Sequence, residues 1–142
     1  MSSTDWRMRG FIIVAWAQFF LLTGYATYYS LAPSPGDTFD LFWDKALHFI
    51  CWFVLLMSLK LPWILRPKLW LGALVLFAYS ILIEVLQFLM PPREFSAFDI
   101  IANASGIISA LALLYVANPL FERWIIPLLL HLLRNRQVKT DS

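Results

Sequence analysis

The chain has 142 residues, 61% of them hydrophobic and only 14% charged, with a mean hydropathy of +0.70 and a net charge of +2. That is more apolar residue than a water-soluble domain of this length can bury, so the expected solvent is a bilayer. The small net charge excludes a nucleic-acid footprint, and the single cysteine, Cys51, excludes an internal disulfide and any CxxC metal site.

Four segments are long enough to cross a bilayer, which takes about 20 mostly apolar residues. The first, residues 11–31, follows Arg7 and Arg9. Its length, and the bulky Tyr28 and Tyr29 where a cleavage site needs small residues, predict an uncleaved span rather than a leader. The stretch APSPGDTFD then carries the breakers Pro33, Pro35 and Gly36. Residues 42–61 form the second predicted span and residues 69–90 the third, closed by Pro91 and Pro92, which cannot continue a helix without losing a backbone bond. Residues 97–117 form the fourth. After Asn118-Pro119, the apolar stretch 124–133 is too short to span. Trp124, Arg123 and Arg134 around it predict a short C-terminal helix lying in the interface, with a re-entrant or bundle-capping helix as alternatives, kinked at Pro127. The predicted fold is all-α: a polytopic membrane helix bundle of four transmembrane helices plus that interfacial helix, in one domain spanning residues 1–142. Cys51, between Ile50 and Trp52, reads as a small packing residue. The lone His131 suggests neither metal binding nor catalysis.

Charge sets the orientation. With the N-terminus in the cytoplasm, nine basic residues lie on that side: Arg7, Arg9, Lys60, Arg66, Lys68, Arg123, Arg134, Arg136 and Lys139. Lys45 and Arg93 lie opposite. This positive-inside asymmetry predicts both termini in the cytoplasm.

That topology gathers polar residues at one depth. Asp44, Lys45 and His48 fall near the outer end of the second span, Glu84 and Gln87 in the last turns of the third, and Arg93 and Ser96 in the outer loop. Asp99 and Asn103 open the fourth. Asp44/His48 and Asp99/Asn103 are i,i+4 pairs, and Glu84/Gln87 is an i,i+3 pair, so each pair shares a helix face. Glu84, about 9 Å below the interface, requires a partner in the bundle or a proton; Arg93, His48 and Lys45 are the candidates. Structural readings stand beside these. Ser96 resembles an N-cap with Asp99 completing a capping box. Lys45 is placed to snorkel, Asn103 to act as inter-helix glue, and Gly106 with Ala102, Ser105, Ser109 and Ala110 to form a small-residue packing face.

The ordered set DKALHF, Glu84-x-x-Gln87 and PPREFSAFDIIANASG resembles the VanZ-like family of small bacterial membrane proteins. The family's recurring residues match Asp44, Lys45, His48, Glu84, Gln87, Arg93, Ser96, Asp99, Asn103 and Gly106. The resemblance covers about residues 40–117. It departs at Trp52, where the family often has Tyr. It implies a multi-pass bacterial membrane protein. The founding member is associated with resistance to glycopeptide antibiotics, notably teicoplanin, without a settled biochemical mechanism.

Three functions remain open. The first is a pocket at the extracytoplasmic face that binds a lipid or cell-envelope precursor head group through Asp44, Lys45, His48, Glu84, Gln87, Arg93, Ser96, Asp99 and Asn103. In it Arg93 clamps a phosphate or carboxylate bidentately. The second is a membrane-embedded enzyme on a lipid-linked phosphate or sugar, with His48, Glu84 and Asp99 as candidate acids and bases. No nucleophile stands clearly beside a base and there is no HExxH or multi-His cluster, which weighs against it. The third is a structural polar lock or a dock for a membrane-protein partner. Membrane lipids are the expected partners; no cofactor and no metal is expected.

Overall fold

The computed structural model describes residues 3–32, 41–63, 69–90, 95–128 and 131. They form four α-helices: α1 (Ser3–Leu31), α2 (Leu41–Leu59), α3 (Leu69–Phe88) and α4 (Ala97–Leu120). The predicted loops with Pro33, Pro35, Gly36, Pro91 and Pro92 lie outside the described residues, as does the tail from residue 132. Among the described residues, three stretches are long and apolar enough to cross a membrane: Trp6–Leu31, Leu69–Phe88 and Ala97–Pro119. The polar groups Asp44, Lys45 and His48 fall in the first half of α2.

The hydrogen bonds between helices fix the arrangement. The end of α1 meets the end of α3, where Gln87 Nε2 donates to the Ser30 carbonyl at 2.8 Å. Nearer the middle, the Thr27 and Tyr79 hydroxyls lie 2.6 Å apart. Gln18 and Ser58 exchange two bonds, of 2.9 and 3.1 Å, tying α1 to α2. The starts of α2 and α4 meet where α3 ends. α2 and α4 therefore run parallel to each other and antiparallel to α1 and α3. Phe19, Trp52, Leu55, Leu56, Leu59, Ala73, Leu76, Ile83, Ile107 and Ala110 fill the core. The outer faces carry exposed apolar side chains such as Val14, Leu21, Leu74, Val75, Ile108 and Val116, as lipid contact requires.

α2 and α4 are the most extensively packed pair. At Gly106 their backbones nearly touch: an added Cβ would collide with the Phe49 carbonyl oxygen and lie 3.1 Å from the Phe53 nitrogen. The small-residue face is thus centred on Asn103, Gly106, Ile107 and Ala110, all buried. Ser105, expected on that face, is exposed.

The predicted break at Asn118-Pro119 does not occur. α4 runs through Pro119 and passes directly into a π-helical segment, Phe121–Ile125, with helical backbone continuing to residue 128. A proline ring clashes with the carbonyl one turn back in a regular α-helix, and the wider π turn that follows Pro119 is a local departure of the kind such a mismatch calls for. Asn118 Nδ2 donates to Glu122 Oε1 at 2.8 Å across the junction. An Arg-on-Trp contact marks this end of the bundle twice, Arg7 over Trp6 at 5.5 Å and Arg123 over Trp124 at 5.9 Å. Both suit an aromatic belt at an interface.

The α2–α4 contact generates a paired prediction. Gly106→Ala forces backbones apart and should destabilise the detergent-solubilised protein by about 1–3 kcal/mol. Gly10→Ala, with nothing within 4 Å of the new methyl, should be neutral or slightly stabilising. Thermal unfolding of the two variants beside the parent checks both.

Candidate functional site

The parallel register of α2 and α4 lines up complementary side chains. Lys45 Nζ donates to Asp44 Oδ2 at 2.8 Å and forms a close ion pair with Asp99 Oδ1 of α4. One turn further in, His48 Nδ1 lies 3.0 Å from Asn103 Oδ1. An amide oxygen only accepts, so Nδ1 carries the proton and donates. Nε2 then faces two carboxylate oxygens, Asp44 Oδ1 at 3.9 Å and Asp99 Oδ2 at 4.0 Å. Each carboxylate therefore turns one oxygen to Lys45 and the other toward the imidazole.

Ser96 and Asp99 form half of the expected capping box. The Asp99 N–H donates to Ser96 Oγ at 3.3 Å. The other half comes from a different helix: the Ser96 N–H donates to Glu84 Oε1 of α3 at 2.9 Å. Glu84 caps α4 from outside, which releases the Asp99 carboxylate for Lys45. Glu84 is only 1% exposed. Its partner is this backbone N–H rather than the Lys45 or His48 side chain; Arg93, the third candidate, lies outside the described residues. Glu84 Oε2 is buried and meets no hydrogen-bond donor among the described residues.

Gln87, expected at a ligand, donates its amide N–H to the Ser30 carbonyl on the last turn of α1. It also reaches the edge of a groove between α1 and α2. The groove has a volume of about 480 Å³, inside the roughly 300–1,000 Å³ range of small-molecule sites. Asp44, His48, Gln87, Ser30 and Tyr29 mark its polar end, and Leu22, Ala26, Leu47, Ile50, Cys51 and Leu55 belong to its apolar wall. Leu47 and Ile50 are more than half exposed, so the groove opens sideways on the outer surface of the bundle.

Every described member of the predicted set thus gathers at one end of the bundle: Asp44, Lys45, His48, Glu84, Gln87, Ser96, Asp99 and Asn103. Glu84, Gln87, Ser96 and Asn103 are engaged with neighbouring helices, Lys45 and Asp99 pair between α2 and α4, and Asp44 and His48 face the groove. Cys51 lies half-buried on the groove wall as well as packing against the core. The α1 contribution, Leu22, Tyr25, Ala26, Tyr29 and Ser30, is the part that reading the polar residues of later spans misses. The polar side chains inside the α1 apolar run, Gln18, Thr23, Thr27 and Ser30, were the available signal.

The cap in trans predicts a graded series. Glu84→Ala removes the acceptor of the part-buried Ser96 N–H and should cost about 1–3 kcal/mol of unfolding free energy. Glu84→Gln keeps an acceptor oxygen and should cost less. Ser96→Ala should cost about 1 kcal/mol. Equal losses for the two Glu84 variants would show that the carboxylate charge matters more than the bond.

Neither curated proteins nor solved structures include a match to this chain. The family model VanZ/LLP1 matches residues 6–118, which takes in α1 as well as the helices bearing the polar motifs. With four-fifths of its length matched and the motif residues gathered at one end of the bundle, the chain belongs to the VanZ/LLP1 family.

Proposed function

We propose that the protein binds a membrane lipid, or a lipid-linked envelope precursor, with the head group at Asp44, His48 and their neighbours and a hydrocarbon tail in the α1–α2 groove. The observation that carries this reading is the continuity of the groove. One cavity joins a charged end to an apolar wall and opens sideways to the bilayer, the shape an amphiphile needs. Glu84, Gln87, Ser96 and Asn103 hold the site rigid by locking the helices together. Lys45 and Arg93 supply the positive charge a phosphate or carboxylate requires.

The proposed topology has four spans, with α2 supported by its neighbours. Both termini are in the cytoplasm of a bacterial cytoplasmic membrane, and the groove's polar end is extracytoplasmic. Nine basic residues against two support that orientation. At that face the site would meet lipid-linked cell-wall intermediates, which would connect it to glycopeptide resistance. Catalysis has less support. His48 hydrogen-bonds Asn103 rather than a hydroxyl or thiol, so no nucleophile is activated among the described residues.

Native mass spectrometry of protein purified in mild detergent tests the reading. One enriched lipid should co-purify with the parent protein. Ala26→Phe, which fills the apolar wall without touching the polar end, should lose it, as should Arg93→Ala. Bulk phospholipid alone in all three would count against the site. The chain's single cysteine gives a second measurement, because Cys51 lines the groove. N-ethylmaleimide should label it at least about tenfold faster in delipidated protein than in lipid-loaded protein.

A further inference from the structure

The triad at the polar end of the groove carries a separate inference. His48 Nε2, Asp44 Oδ1 and Asp99 Oδ2 converge without hydrogen-bonding one another, and the three residues' ligand atoms all lie within 4.8 Å of each other. At 3.9 and 4.0 Å the His–carboxylate separations are too long for hydrogen bonds. An ion centred among the three atoms would sit about 2.3–2.5 Å from each, so side-chain movements of a few tenths of an ångström bring all three to metal–ligand lengths.

Two further observations point the same way. Asn103, 1% exposed, accepts the Nδ1 proton of His48 and so aims Nε2 between two carboxylates. An imidazole held by a hydrogen bond at its other nitrogen is also the usual state of a metal-binding histidine. Charge balance supplies the second observation. Asp44, Glu84 and Asp99 are three carboxylates facing one ammonium, Lys45, among the described residues. The unpaired Glu84 Oε2 is fully buried beside them.

We infer that Asp44, His48 and Asp99 form a divalent-cation site at the polar end of the groove. Two carboxylates with one imidazole suit an ion of the Mn²⁺ or Zn²⁺ class better than Ca²⁺ or Mg²⁺. Asp44 and His48 border the groove, so the ion's remaining coordination positions face it. The three ligands come from two helices far apart in sequence, which is why spacing along the chain does not reveal them. The inference does not depend on lipid binding, and its test uses the metal alone.

Protein stripped with EDTA in detergent is titrated with Mn²⁺, with bound metal measured by mass spectrometry and its ligands by pulsed electron paramagnetic resonance. The expected result is one Mn²⁺ per chain with imidazole nitrogen modulation, displaced by Zn²⁺. Folded His48→Gln should lose the modulation, and folded Asp99→Asn should bind at least about tenfold more weakly. Lys45→Met keeps all three ligands and removes the competing ammonium, so it should bind about tenfold more tightly or better. Less than stoichiometric Mn²⁺ in the parent, bound Mn²⁺ without nitrogen modulation, or weaker binding in folded Lys45→Met would each overturn the inference.

Discussion

The close approach of α4 to α2 at Gly106 sets the geometry of everything above it. A helix pair that touches backbone to backbone has one register, and here the two helices run in the same direction. From the contact with Phe49 and Phe53, one turn back toward the helix starts pairs Asn103 with His48. Another turn pairs Asp99 with Lys45. The polar residues meet because a hydrogen atom at position 106 lets the helices come close enough. Any larger side chain there widens the gap through which both bonds must reach.

Satisfying polar groups in an apolar medium then distributes the roles. Each buried donor or acceptor left unpaired in hydrocarbon costs several kcal/mol, so the cluster is organised by who serves whom. Glu84 accepts from the Ser96 N–H, Gln87 donates to the Ser30 carbonyl, and Asn103 accepts from His48. These residues connect α3 to α4, α3 to α1, and α2 to α4. With Glu84 acting as the cap, Asp99 is free to turn both carboxylate oxygens inward. The site's open valences are concentrated at Asp44, His48 and Asp99, where the groove ends.

How much of this was legible in the sequence depends on which physical quantity fixes each feature. Helix positions follow from apolar run length, and residues 69–90 and 97–117 fall close to α3 and α4. The convergence of Asp44, His48, Glu84, Gln87, Asp99 and Asn103 follows from i,i+3 and i,i+4 spacing combined with alternating helix direction. Partner choice does not follow. Whether Glu84 meets Arg93, Lys45 or a backbone N–H depends on how far each helix is rotated about its axis, and periodicity constrains that rotation only to a broad face. The groove is invisible for the same reason. It arises where α1 stands away from α2 between the Gln18–Ser58 tie and the Ser30–Gln87 tie, and no motif marks a gap. Pro119 misleads because a proline ends a helix only when nothing accommodates its ring, and a π turn does so here.

α2 shows what the arrangement requires of assembly. It is the shortest of the four helices, with 19 residues, and its first turns carry Asp44, Lys45 and His48. On its own it would place a short apolar run and three polar groups against hydrocarbon roughly 30 Å thick. Within the bundle it touches all three other helices, and the inter-helix partners of Lys45 and His48, Asp99 and Asn103, are both on α4. α4 is made after α2, so those groups gain their partners only once α3 has returned the chain to the same end and the Glu84–Ser96 bond has fixed where α4 begins. The polar site is therefore a property of the assembled bundle and of no single helix. A ligand that draws on Asp44, His48 or Asp99 draws on the same contacts that hold α2 in place, so occupancy of the site and the packing of α2 against α4 are thermodynamically one equilibrium.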